Sequence, residues 1–290
     1  MKHSVKKIAA VHDLSGCGRV SLNVVIPILT EMGLQVCPLP TAILSSHTQY
    51  PDFSFLDLTE QMSLFVKQWK KLGLKFDAIY TGYLGSPKQA EIVEELISAF
   101  HINDDQITIT DPVLGDNGKL YKALDTEMIA TMRRLIRKAN VITPNLTELC
   151  LLLGIPYEQY MPIETLKKNL KTISEMGPDI VIVTSIHEKG DNKKTYVVAY
   201  DKSAGQFWKV SANYLPAHYP GTGDAFTSVI TGALLQGDSL PMALDRAVQF
   251  IQMGMRATFG YEYDNREGIL VERVLKTLDA PVQINSYELL

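Results

Sequence analysis

Apolar residues along the chain follow two alternating rhythms. Short runs rich in β-branched residues occupy 6–12, 35–42, 76–81, 106–111, 139–142 and 179–185. Longer amphipathic segments lie between them, near 19–32, 58–72, 86–100, 125–138, 145–154 and 163–176. Strands separated by helices of this length predict successive β-α-β units: an α/β fold with a mostly parallel central sheet flanked by helices on both faces. The rhythm changes over 193–213, where apolar runs at 195–200 and 206–210 bracket Asp201-Lys202-Ser203-Ala204-Gly205, an antiparallel hairpin signal. Three more helices are expected near 223–236, 240–258 and 269–278. No Pro/Gly/Ser-rich linker, low-complexity tract or internal repeat interrupts this order, so one domain over residues 1–290 is the economical expectation.

Composition narrows the function classes. With 46% hydrophobic and 21% charged residues the chain has the balance of an ordinary globular protein. Net charge is -4 and the basic residues are dispersed. The densest cluster, Arg133-Arg134 with Arg137-Lys138, recurs at helical spacing and reads as one solvated helix face, so no nucleic-acid partner is expected. The opening Met1-Lys2-His3-Ser4 leads into an apolar run ending near Val11, too short to span a membrane and without a small-residue cleavage site. Neither a signal peptide nor a membrane partner is therefore expected. Cys17, Cys37 and Cys150 are odd in number and lack metal or disulfide spacing, so reduced thiols in a cytoplasmic protein are the default. Of the three, Cys17 sits in a glycine-rich turn where it could line a site.

In open α/β sheets the ligand site lies beyond the carboxyl ends of the strands, and the polar residues there are concentrated. The strongest signal is Pro220-Gly221-Thr222-Gly223-Asp224-Ala225-Phe226. Two glycines allow a tight turn into an apolar helix, whose unpaired first amides and dipole favour an anion. Asp224 stands beside that pocket, and an Asp that merely capped a helix would need no Gly-Thr-Gly before it. The second signal is Thr143-Pro144-Asn145-Leu146-Thr147-Glu148, after the strand at 139–142. Asn145 and Glu148, three apart, share a helical face. They suit either a helix cap or a hydrated Mg²⁺ that takes oxygen ligands. The third is Asp111-Pro112-Val113-Leu114-Gly115-Asp116, whose acidic residues could neutralise a cation, though such sequences are routine in turns. Thr184-Ser185 adds two hydroxyls after the strand at 179–183. The polar stretches Lys189-Gly190-Asp191-Asn192 and Pro216-Ala217-His218 are candidates for a lid. No G-x-x-x-x-G-K-[ST] occurs, which excludes a P-loop, and Gly16-Cys17-Gly18 lacks the third glycine of a dinucleotide fingerprint.

Together these blocks resemble the ribokinase-like superfamily and, within it, the pyridoxal kinases, over nearly the whole chain and in order. Ser45-Ser46-His47-Thr48-Gln49-Tyr50 resembles that family's Ser-Asn-His-Thr-x-Tyr segment, and Thr81-Gly82-Tyr83-Leu84-Gly85-Ser86 its Gly-Tyr-Leu-Gly turn. The blocks starting at Asp111, Thr143 and Gly221 match Asp-Pro-Val-x-Gly, Thr-Pro-Asn-x-x-Glu and Gly-Thr-Gly-Asp. The resemblance implies ATP as co-substrate and Asp224 as general base toward a primary hydroxyl, with the amides of Gly221, Thr222 and Gly223 as an anion hole. It implies Mg²⁺ organised by Asp111 and Glu148 with Asn145, and leaves a monovalent cation open. Thr143, Asn145, Thr184 and Ser185 would contact the nucleotide and Phe226 would pack near adenine. Asp13, His47, Thr48 and Tyr83 would hold the pyridine ring. It also implies a homodimer.

One block departs. His12-Asp13-Leu14-Ser15-Gly16-Cys17-Gly18 lacks the Ser-His start and later Gly-Asn of typical pyridoxal kinases. Its Asp13-x-Ser15-Gly16 resembles the opening turn of the hydroxymethylpyrimidine kinases of thiamine synthesis, where the base position is usually Cys rather than Asp. Hydroxymethylpyrimidine, alone or as a second substrate, is therefore the alternative to a B6 vitamer. A catalytically silent pyridoxal-binding protein is the alternative of another class, although it would have no physical need for Asp224, Glu148 and the glycines together.

Overall fold

The computed structural model describes residues 5–101, 103, 105–191, 193–279 and 287–290. Met1-Lys2-His3-Ser4 and Asn192 of the first lid candidate lie outside the described residues. Strand β1 (Lys7–Ser15) buries Ile8 and Ala10 in one cluster and Ala9 and Val11 in another, which marks a strand covered on both faces. There follow α1 (Leu22–Glu31), β2 (Gln35–Leu44), β3 (Phe55–Asp57), α2 (Thr59–Lys71), β4 (Ala78–Thr81), α3 (Pro87–Phe100) and β5 (Ile107–Thr110). A small hairpin, β6 (Gly115–Asp116) with β7 (Lys119–Leu120), leads to α4 (Thr126–Leu135), β8 (Val141–Ile142), α5 (Leu146–Leu153), α6 (Ile163–Ser174) and β9 (Ile180–Ile186). The remainder is β10 (Lys194–Asp201), β11 (Gln206–Asn213), α7 (Thr222–Gln236), α8 (Leu240–Thr258) and β12 (Tyr287–Leu289).

Ten strands form one sheet in the order β3-β2-β1-β4-β5-β8-β9-β10-β11-β12. The six from β2 to β9 pair in parallel, while β3 and the β10–β12 end add antiparallel pairs. One core cluster packs α2 to α6 on one face, with Val66, Leu96, Met132, Leu149 and Leu170 buried there. The other packs α1, α7 and α8 on the opposite face, through Val25, Ile230 and Leu244. The chain leaves β1 toward β2 and β3, then returns to start β4 on the other side of β1. That reversal opens a crevice at the carboxyl ends of β1 and β4, the switch point where α/β sheets bind ligands.

The strand at 6–12 extends to Ser15, its pairing with β2 slipping between His12 and Leu14, so His12 and Asp13 are strand residues rather than part of a turn. The helix expected at 19–32 begins only at Leu22, because Ser21 has φ 50°. The helix expected at 269–278 is instead a pair of 3₁₀ turns, Val271–Arg273 and Leu275–Asp279. Its core anchors Val271 and Val274 are three apart, a spacing that a 3₁₀ turn satisfies as well as an α-helix over so short a span. The predicted hairpin is present: the Asp201 carboxylate accepts from the Ser203 and Ala204 amides, and Gly205 takes φ 65°. Strands β3, β6, β7 and β12, of two or three residues each, are too short to show a period of two in sequence. Among the described residues no helix is long and apolar enough to cross a membrane.

Phe76 precedes β4 at 1% exposure, with ring centroids 5.2 Å from both Trp69 and Phe100. Phe76→Ala is expected to cost about 3–5 kcal/mol, the usual loss for truncating a buried aromatic. Urea unfolding followed by circular dichroism would measure it, and a loss under about 1 kcal/mol would mean that the cavity collapses freely.

Candidate active site

Helix α7 starts where the crevice opens. Gly221, at its N-cap, has φ 78°, and a Cβ there would overlap the carbonyl oxygen of Arg19, so both backbone shape and space demand glycine. The first helical bond runs from the Ala225 amide to the Gly221 carbonyl at 2.9 Å. The amides of Thr222, Gly223 and Asp224 therefore precede it, and Gly223 is exposed at the mouth.

Asp224 is hydrogen-bonded on one side and faced by an imidazole on the other. Its Oδ2 accepts the Ser21 amide at 2.8 Å, and its Oδ1 stands 3.8 Å from His12 Nδ1. Burial raises its pKa to about 7, opposed by the Ser21 amide and assisted by the charge of Asp13. Ser21 also gives its hydroxyl to Asp13 Oδ1 at 2.5 Å, and Ser15 donates to Oδ2 at 3.4 Å. Asp13 is buried, which raises its pKa despite those hydroxyls. Sequence reasoning did not single out Ser21, because next to an amphipathic run it reads as one more helical position.

A second group of carboxylates lies beyond β5. Asp111 is buried, and its pKa is pushed well up by burial and by the charges of Glu148 and Asp224, with the Thr143 and Thr227 hydroxyls opposing. Glu148 and Asn145 form a full capping box on α5: the Asn145 amide donates to Glu148 Oε2 at 2.8 Å and the Glu148 amide to Asn145 Oδ1 at 2.9 Å. Glu148 Oε1 also accepts the Leu114 amide at 3.0 Å, and Asn145 Nδ2 donates to the Gly115 carbonyl at 2.8 Å. The pair thus tethers the loop that follows Asp111. Even with those amides, burial raises Glu148 to about 8. Among the described residues no three His, Cys, Asp or Glu side chains form a ready cage for a metal ion. The donor set nevertheless fits a largely hydrated divalent cation, since Glu148 and Asp224 stand close enough for their charges to oppose ionisation of Asp111, a repulsion that a cation would relieve.

The structure relocates several expected contacts. Thr143 is buried, and its hydroxyl accepts from Thr227 at 2.9 Å, so it supports Asp111 from inside rather than facing an open nucleotide site. Phe226 is 5% exposed and belongs to the α7–α8 core, which removes it as a wall for adenine. Burial of the helix all round is the reason: every residue of α7 from Ala225 to Ala233 is buried. Thr184 and Ser185 lie within β9, not after it. The Thr184 amide donates to the Pro144 carbonyl, and Ser185, exposed at φ 60°, lines a cavity of about 60 Å³ with Asp116, Asn145, Thr147 and His187. A larger cavity of about 330 Å³, lined by Met161, Ile186, Tyr196 and Lys209, contains none of the expected site residues.

On the β1–β4 side, His47 is buried. Its Nδ1 accepts the Gln49 amide at 3.4 Å, leaving Nε2–H to donate to the Arg266 carbonyl at 2.5 Å. Its ring fills the space beside Gly18, where a Cβ would come within 2.5 Å. Thr48 is exposed and Tyr83 half-buried, the phenol raised by burial and by Asp13. Cys17 is exposed, Cys37 half-buried and Cys150 buried.

This arrangement has known relatives. A family model described as phosphomethylpyrimidine kinase matches residues 53–267. The curated pyridoxal kinase of Histophilus somni is 30% identical over 239 residues, covering 78% of this chain and 80% of that protein. A crystal structure from Bacteroides thetaiotaomicron, provisionally named a phosphomethylpyrimidine kinase, is 63% identical with a TM-score of 0.97, over 100% of this chain and 99% of its own. An orthorhombic crystal form under the same name holds pyridoxal. The pyridoxal kinase of Lactobacillus plantarum is 32% identical with a TM-score of 0.87, over 96% of this chain and 98% of its own.

The raised pKa of Asp224 has a consequence for stability. The carboxyl titrates near its ordinary 3.8 when unfolded and near about 7 when folded. Between those values the folded state holds the extra proton, so stability falls as pH rises through the window. Asp224→Asn removes that loss. Its thermal midpoint should match wild type near pH 4 and exceed it at pH 8; equal midpoints at both pH values would mean that the carboxylate bears no burial cost.

Proposed function

The chain belongs to the ribokinase-like family of pyridoxal and phosphomethylpyrimidine kinases, and on that premise we propose that it transfers the γ-phosphoryl group of ATP to the hydroxymethyl group of a B6 vitamer. The observation that carries this reading is that base and anion site share one turn: Asp224 stands at the start of α7, beside amides that precede the first helical bond. The choice of a pyridine substrate is supported by the relative crystallised with pyridoxal, 63% identical to this chain.

Asp224 takes the proton of the attacking hydroxyl. A carboxylate raised to about 7 is well matched to that task, since general bases work best near the operating pH. The amides of Thr222 and Gly223 stabilise charge developing on the transferred group, with Gly221 supplying the left-handed turn that presents them. Asp111 and Glu148 are the residues that would hold Mg²⁺, which when bound neutralises charge on the phosphates. Asn145, Thr184 and Ser185 line the nucleotide side, and Thr143 and Phe226 support it from within. Asp13, His47, Thr48 and Tyr83 line the substrate side, where Tyr83 offers an aromatic face.

A second reading keeps the same chemistry on hydroxymethylpyrimidine. It is favoured by the description of the matching family model and by Asp13-Leu14-Ser15-Gly16. A homodimer is proposed as well, supported by the exposed apolar side chains Phe53, Phe55, Leu56, Leu64 and Phe65 around the edge strand β3 and helix α2.

ADP release measured side by side with pyridoxal, pyridoxine, pyridoxamine and hydroxymethylpyrimidine tests the assignment. A B6 vitamer should give the highest kcat/KM, and Asp224→Asn should lower kcat by about 10²–10⁴-fold with ATP affinity little changed. A preference for hydroxymethylpyrimidine would overturn the substrate assignment, and a variant keeping half the activity would overturn the base. For the dimer, sedimentation should show two copies in wild type and one in Leu56→Glu/Leu64→Glu; a wild-type monomer would sink it.

A further inference from the structure

His12 presents a problem that packing does not solve. Its side chain is fully buried, yet among the described residues neither ring nitrogen has a hydrogen-bond partner. An apolar side chain would fill the same space without leaving two polar atoms unsatisfied, so stability alone gives no reason for a histidine here. Burial pushes its pKa down to about 3, which makes the ring a neutral imidazole and rules out an ion pair with Asp224.

The ring is aimed with care. It stands edge-on to Tyr80, with centroids 4.4 Å apart and planes at 77°. Tyr80 and Gly82 lie two residues apart and so face the same side of the sheet. A Cβ on Gly82 would overlap His12 Nδ1, so this glycine makes the room in which that nitrogen sits. Beyond it is Asp224 Oδ1, 3.8 Å away. Tyr80 in turn directs its hydroxyl at the Asp224 carbonyl, 3.3 Å distant. Tyr80 of β4 and Gly82, just beyond the end of that strand, thus hold one imidazole edge toward one carboxylate oxygen.

We propose that His12 is a positioning residue for the base, its Nδ1–H closing onto Asp224 Oδ1 when substrate docks, so that the Ser21 amide fixes one carboxylate oxygen and the imidazole the other. The inference rests on Asp224 acting as the base. The gap must shorten from 3.8 Å to an ordinary ~2.9 Å, a tightening common on substrate binding. Each carboxylate oxygen keeps a lone pair, so the substrate proton still passes to Asp224 while His12 retains its own proton and stays neutral. A hydrogen bond donated to the carboxylate favours its charged form and lowers the pH at which the base becomes active. The other titratable groups acting on Asp224 or sensing its charge are Asp13 from β1, Tyr80 from β4, Asp111 after β5 and Tyr121 after β7. All of them stay unchanged in the variants below.

The test compares His12→Leu, His12→Asn and Asp224→Asn with wild type for thermal midpoint, kcat, KM and the pH profile of kcat/KM. Asparagine keeps an N–H near the position of Nδ1, whereas leucine keeps only volume. His12→Leu should be as stable as wild type or more so, yet lose about 10- to 100-fold in kcat, as for a lost hydrogen bond to a charged group. Both KM values should move by no more than about threefold, and the acid limb should shift to higher pH. His12→Asn should recover most of kcat and return the limb toward its wild-type position. Full activity in His12→Leu, or equal losses in both His12 variants with an unmoved acid limb, overturns the proposal. An active Asp224→Asn overturns the base and this inference together; an inactive one beside an unaffected His12→Leu overturns this inference alone.

Discussion

Ser21 ties together parts of the chain that lie far apart in sequence. Its amide reaches Asp224, at the start of α7, and its hydroxyl reaches Asp13, at the end of β1. Both bonds depend on a backbone at φ 50°, a conformation that costs a non-glycine residue about 1–3 kcal/mol and persists only where the surroundings enforce it. Those surroundings are the crevice at the reversal of strand order and the tight approach of the 19–21 backbone to Gly221. If this fork were absent, the two carboxylates would lose their common anchor and the opening turn would lose its hold on the helix that carries Asp224.

In and beside that crevice the protein collects four carboxyl groups away from water. Asp13, Asp111, Glu148 and Asp224 are all shifted upward, chiefly by burial. Each is also given hydrogen-bond donors that partly restore its preference for the charged form. An arrangement like this works against folding: these carboxylates are desolvated during folding, before any ligand arrives, the preorganisation that the proposed function calls for.

Much of this was legible in sequence. The alternation of apolar runs gives the parallel sheet, and the strand-end motifs at 111, 143 and 221 lie together at its carboxyl edge. What sequence could not show is orientation. Thr143 and Phe226 belong to the right motifs, yet the Thr227 partner of the one and the burial of α7 all round the other turn both inward. Glu148 reads equally well as a cap or as a cation's neighbour, and the structure shows a full capping box without excluding charge from the site. Ser21, His12 and Tyr80 carry no motif at all; their meaning arises from partners about 140 to 210 residues away, contacts that only the topology of the sheet creates.

The carbonyl of Arg19 is enclosed by two glycines in left-handed conformations. One is Gly221 at the start of α7; the other is Gly268, where a Cβ would come within 2.9 Å of the same oxygen. Both obstructions are main chain, so no change of side chain elsewhere can relieve them. This divides the site into parts with different evolutionary freedom. Exposed or half-exposed residues such as Thr48 and Tyr83, on the proposed substrate side, have room to change one substitution at a time. The frame that places the start of α7 is locked by the 19–221–268 contact, so under the proposed function specificity can diversify across such a scaffold while its reaction stays the same.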